Sequence, residues 1–171
     1  HSGIHIHEGR GHALKLLVRV LHARVPACGL RLVSLQGGTA RNALPREAFA
    51  TVALPADQVA ALETQLGAWH TSRLQEWGEV EPGLRLQAEE LTPDHARPAG
   101  VLPQREQAIW LNTLMAAPHG VKRQSLSVPG VVETSNNLGM VSVSPEGGHC
   151  NFMVRSLRDS QAQALAQEIV S

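Results

Sequence analysis

Nine histidines in 171 residues invite a search for metal ligands. His5 and His7 stand two apart, and on a β-strand both would point to one face, where two imidazoles could reach one ion. A zinc site takes three or four ligands, and Glu8 would point the other way, so the plainer reading of the pair is a polar strand end. His12, His22, His70, His95 and His119 are scattered and read as solvated or capping groups. His149 and Cys150 are adjacent, which on a strand puts them on opposite faces, and no Gly-x-Ser-x-Gly elbow is present. Glu79 with Glu81, and Glu89 with Glu90, read as solvated charges rather than a general acid and base. Three polar residues in restricted surroundings remain: His1 before Ser2 and Gly3, Asn42 inside the run from Gly37 to Pro45, and Arg155 at the end of an apolar run. A guanidinium so placed holds a carboxylate by two parallel bonds, or equally forms a structural ion pair. Asn42 equally suits a turn in which its side chain bonds its own backbone, and His1 alone reads as a terminus.

These residues need elements to hold them. Leu14, Leu17, Val18 and Leu21 recur at helical spacing and predict a helix from about Gly11 to Arg24, stopping before Pro26. Leu30 to Leu35 and Ala48 to Leu54 read as two strands of a hairpin, with Gly37 and Gly38 turning between them, so no phosphate loop opens a helix there. Val59, Leu62, Leu66, Trp69 and Trp77 mark the apolar stripe of a long helix ending near Gly78, and Leu84 to Ala88 alternates as a further strand. Prolines 93, 98 and 103 with Gly100 form a connector over about 92–103 between two halves, about 1–91 and 104–171. In the second half, a helix containing Ala108, Leu111 and Met115 ends before Pro118. Strands follow at 122–126, 131–135, 138–143 and 150–155, with a turn at 145–148 and a last helix through Ala162, Leu165 and Ile169. Both halves read helix, strands, helix, each with an asparagine, Asn42 or Asn137, just after its first long strand, as in a degenerate duplication. The fold class is α+β, an antiparallel sheet with helices packed on one face.

Fifteen Lys+Arg balance fifteen Asp+Glu, so no long-range field draws a nucleic acid backbone or an anionic lipid. The apolar run from Leu14 to Leu21 is broken by Lys15 and Arg19, which excludes a membrane span there. Cys28 and Cys150 are far apart and read as reduced thiols, as expected in a cytoplasm. The chain opens on His1 without a charged and apolar leader, as expected of a segment from inside a longer reading frame.

Taken together, several stretches resemble the bacterial aminoacyl-histidine dipeptidases, also called cytosol non-specific dipeptidases, which are co-catalytic zinc metallopeptidases related to aminoacylase and carboxypeptidase G. They are His1-Ser2-Gly3, Lys15 to Leu21, the specific run from Gly37 through Asn42 and Pro45 to Thr51, Gly130 to Ser135, and Val154-Arg155-Ser156-Leu157 with Asp159-Ser160. The resemblance runs from the first residue to the last helix. It implies the lid or dimerisation domain of such an enzyme, built of two ferredoxin-like halves, with no metal bound by this segment. Two divalent metal ions, zinc by the resemblance, would sit in a catalytic domain that this segment lacks, so that the segment alone is inactive. The implied partners are a dipeptide substrate of the Xaa-His or β-alanyl-histidine type, the protein's own catalytic domain and a second copy in a homodimer. By resemblance His1 matches a lid histidine that stabilises the oxyanion, while Asn42 and Arg155 match lid residues that grip the substrate's C-terminal carboxylate or backbone. Asn137 is the weaker candidate, since its placement could reflect duplicated architecture alone. Two readings compete: a homodimerisation module with no active-site role, and a self-contained metal hydrolase using His5 and His7.

Overall fold

One strand organises the molecule, because its alternating side chains serve two different faces. The computed structural model describes residues 3–91 and 100–171, with side chains from residue 6 onward. A 3-10 helix at Gly3–Glu8 leads into α1 (Ala13–Cys28), which is followed by β1 (Arg31–Gly37), β2 (Ala48–Ala53) and α2 (Val59–Trp77). Then come α3 (Gln104–Ala116), β3 (Gly120–Gln124), β4 (Val132–Ser144), β5 (Gly147–Ser156) and α4 (Asp159–Val170). All the strand pairs are antiparallel. Along one edge β4 pairs with β5 from Thr134↔Ser156 to Ser144↔Gly147. Its other edge is shared by β3, which reaches Asn136, and β1, which begins at Val141, and β2 closes that side of the sheet. The molecule is therefore an α+β fold with a single antiparallel sheet.

The core lies between the sheet and α1 with α3. Leu14, Val18 and Leu21 from α1 meet Leu111 and Leu114 from α3 over Leu32, Leu35, Leu138, Val141 and Val143, all of them buried. Burying a leucine of this kind contributes roughly 2 kcal/mol, so these side chains supply most of the fold's stability. Polar groups are fitted to this core with care. Gln107 of α3 is 1% exposed, accepts from Leu32 N and donates to Leu30 O, which completes β1 where its pairing with β2 shifts register. Leu102, at the end of the expected connector, is fully buried, and its N–H donates to Leu32 O. The remainder of that connector, 92–99, lies outside the described residues.

Several elements differ from the sequence expectation. Helix α1 does not stop before Pro26 but runs to Cys28, with Gly29 in the left-handed conformation at φ 64° as its cap. The carbonyl bond lost at Pro26 is outweighed by packing, since Cys28 is buried and Val25 packs against the core. Leu84 to Ala88 is not a strand. That segment is tied to α2, where His70 Nε2 donates to Leu84 O, and it joins none of the described strands. The two strands expected at 131–135 and 138–143 are one continuous β4, with an irregularity between Leu138 and Met140 in place of a break. Asn137 consequently lies inside a strand rather than after one. On α2 only Leu62 of the expected stripe is fully buried, and Val59 remains 38% exposed.

Candidate functional site

The loop between β1 and β2 carries Asn42, and β4 holds that loop in place. Asn137 is buried, and its Nδ2 donates to Arg41 O at 2.7 Å and to Ala43 O at 2.8 Å, the carbonyls on either side of Asn42. Glycines allow the close approach. A Cβ on Gly139 would lie 2.5 Å from Arg41 Cα, and one on Gly38, whose φ is +78°, would lie 1.9 Å from Gly139 O. Asn42 itself is exposed, with no hydrogen bond to its side chain among the described residues.

Arg155 lies on the same sheet face as Asn137. It pairs with Ser135, while Asn137 pairs with Met153, and directly paired residues share a sheet face with their neighbours two along. That face is opposite to Leu138 and Phe152, which pack toward the helices. Arg155 is exposed and has no ion pair among the described residues. The buried carboxylate nearby, Glu133, is already matched by Arg123 at 3.2 Å and Arg158 at 3.4 Å. The structural ion pair that the sequence allowed for Arg155 is thus made by other arginines.

His1 lies outside the described residues. The strand expected around His5 and His7 is a 3-10 helix, and the His5 side chain lies outside the described ones. Among the described residues no three His, Cys, Asp or Glu side chains are grouped so as to hold a metal ion. Both cysteines are free, and burial raises the Cys150 thiol above its ordinary value, which disfavours a reactive thiolate.

The structure also gathers charged and titratable groups that spacing did not bring together. Glu81 is not a solvated charge: it is 6% exposed, its carboxylate accepts from Arg46 at 2.6 Å and from Gly11 N at 3.0 Å, and the Arg46 guanidinium holds its pKa below the usual range. This pair fastens the end of α2 to the start of α1. His12 and His119 meet edge to face with ring centroids 4.2 Å apart. They fill the gap that β3 and β1 leave along β4: His12 Nε2 donates to Leu138 O at 2.9 Å, and His119 Nδ1 accepts from Leu138 N at 3.4 Å. His12 Nδ1 accepts from Lys15 N and so caps α1, which fixes its proton on Nε2. Burial pushes the His12 pKa down to about 4 and that of His119 to about 3, the latter with help from His12 and the Lys15 ammonium. The Lys15 ammonium caps the end of α3 by donating to Leu114 O, Met115 O and Ala117 O at 2.7, 3.0 and 2.6 Å. A cavity of about 330 Å³ beside the pair is also lined by Arg10 and Trp77. With both imidazoles bonded to the Leu138 backbone, this cluster completes the sheet where β3 and β1 leave it open.

Residues 1–77 match the family described as peptidase dimerisation domain. The cytosol non-specific dipeptidase of Escherichia coli (strain K12) is 40% identical over 160 residues, covering 94% of this chain and 32% of that protein. Residues 1–77 thus carry the signature of a peptidase dimerisation domain. The crystal structure of an aminoacylhistidine dipeptidase from Vibrio alginolyticus superposes with a TM-score of 0.91 at 36% identity, over 98% of this chain and 33% of that one. The chain thus spans about a third of the length of the relatives it matches. The resemblance read from the motifs is therefore to the right proteins, and the α+β fold is that of their dimerisation domain.

Proposed function

We propose that this domain is the lid and dimerisation part of a metal-dependent aminoacyl-histidine dipeptidase of the cytoplasm, whose substrates are Xaa-His and β-alanyl-histidine dipeptides. The observation that carries the reading is that Asn137 of β4 holds the Asn42 loop on the side of the strand that also carries Arg155, which is exposed and has no ion pair among the described residues. An amide and a guanidinium together suit a free carboxylate, the group that distinguishes a dipeptide's end from an internal peptide bond. His1, by family resemblance, donates to the carbonyl oxygen as negative charge grows on it, a contact worth more in the transition state than in the ground state. Two divalent metal ions, zinc by the same resemblance, would belong to the part of the parent protein outside this chain and would supply the activated water.

The test is kinetic, in the full-length protein with alanyl-histidine as substrate. Arg155→Ala should raise KM at least tenfold with a smaller change in kcat, since the carboxylate contact is present in both ground and transition states. An unchanged KM removes Arg155 from the site. The second reading, a homodimerisation module with no active-site role, is favoured by β2: it pairs with β1 alone, and Phe49 is 59% exposed on it. Phe49→Glu should then convert a dimer to a monomer in sedimentation, and full activity in that monomer would favour this second reading.

A further inference from the structure

We propose that Asn137 is a positioning residue that sets the spacing between Asn42 and Arg155, and thereby the preference for dipeptides over longer peptides. The inference rests on the reading of Asn42 and Arg155 as the carboxylate grip. One buried amide nitrogen spends both its hydrogens on the carbonyls that flank Asn42, so two peptide units are fixed and the Asn42 side chain between them is left to project. No other common side chain of this size does the same. Aspartate would face two carbonyl oxygens with its own oxygens, serine has one hydrogen to give, and leucine has none. Gly139 and Gly38, having no side chains, let the loop lie close against β4, and the amide keeps it from moving away.

Arg155 takes its position from the same strand. Its partner Ser135 is two residues from Asn137 with no register shift between them, so Arg155 and Asn137 are diagonal neighbours, roughly 7–8 Å apart at Cα. Strand β4 is therefore a shared base for both arms of the grip. A carboxylate held by both arms fixes where the substrate ends. A loop freed from β4 would let Asn42 drift, which weakens the hold on a dipeptide and costs less for a peptide that extends past the grip.

The experiment uses the full-length enzyme with alanyl-histidine and alanyl-histidyl-alanine, and Asn137→Ala, Asn42→Ala and the double variant. Asn137→Ala should raise KM for the dipeptide about tenfold, with kcat changed less than threefold, and narrow the dipeptide-to-tripeptide ratio of kcat/KM. In the Asn42→Ala background the same change should add less than about twofold, because it acts through Asn42. Gly139→Ala, which lifts the same loop without touching the amide, should reproduce the KM effect and serves if Asn137→Ala does not fold. Fully additive effects, or an unchanged KM in both Asn137→Ala and Gly139→Ala while Asn42→Ala is impaired, overturn the positioning role. An Asn42→Ala enzyme with normal KM and normal length preference instead overturns the grip on which the proposal rests.

Discussion

Two stretches of β4 are built on opposite principles: from Leu138 to Val143 its helix-facing side chains are apolar, whereas from Glu133 to Asn137, Thr134 and Asn136 on that same side included, the buried groups are polar. Toward the helices, Leu138, Val141 and Val143 are buried in an apolar core. On the other side Glu133, Ser135 and Asn137 are buried as well, yet they are polar, and each polar contact there places a loop or a charge. The contrast separates two tasks. Apolar burial is non-directional and supplies stability, whereas hydrogen bonds are directional and supply position. Neighbouring residues of one strand can thus be specialised, one for holding the fold and the next for placing a reactive group.

The comparison is tested most severely by truncating the apolar stretch. Leu138→Ala should lower the unfolding free energy by about 3 kcal/mol, from lost burial and a residual cavity, as read by urea denaturation. Asn137→Ala next to it should cost about 1 kcal/mol, with its main effect on KM. Equal destabilisation by the two would erase the distinction between the stretches.

The histidine pair makes a prediction of similar size for the seam between the strands. Both groups have folded pKa values below the ordinary 6.5, about 4 for His12 and about 3 for His119, so the unfolded chain binds more protons between those limits. Stability is then full above pH 6.5 and is lost as pH falls toward 4, by about 2–3 kcal/mol from His12 alone between pH 7 and 4.5. Urea unfolding across that range should show the slope, and His12→Asn, which keeps a donor and an acceptor without titrating, should flatten it. At the other extreme, the Lys122–Glu168 pair joins β3 to α4 at 2.6 Å with both side chains about half exposed. Lys122→Ala should change stability by less than about 0.5 kcal/mol, because solvent screens the pair.

Much of this architecture was legible in the sequence. The alternation and helical spacing located the β1–β2 hairpin, the long α2, the β5 strand and α4, since an amphipathic element has to bury its apolar side somewhere. Motif resemblance singled out Asn42 and Arg155, whose surroundings alone left a turn residue and an ion pair equally open. Reading failed where a partner distant in sequence decides the outcome. Pro26 reads as a helix stop, but burial of Cys28 against the core carries α1 past it. Leu84 to Ala88 alternates like a strand, yet it joins none of the described strands and is tied instead to α2 through His70. Asn137 looked like an echo of Asn42, and it is instead the residue that holds the Asn42 loop.

The sequence by itself determined the class of fold, the kinds of elements and the family, because periodicity and local motifs are properties of short windows. Only the tertiary structure decided that His12 and His119, more than a hundred residues apart, would close one gap in the sheet, that Glu81 would be buried against Arg46, and that Asn137, which holds the Asn42 loop, would share a face with Arg155. The reason is physical: such pairings depend on which backbone edges and cavities remain when the core has closed, and that is a property of the whole packed chain.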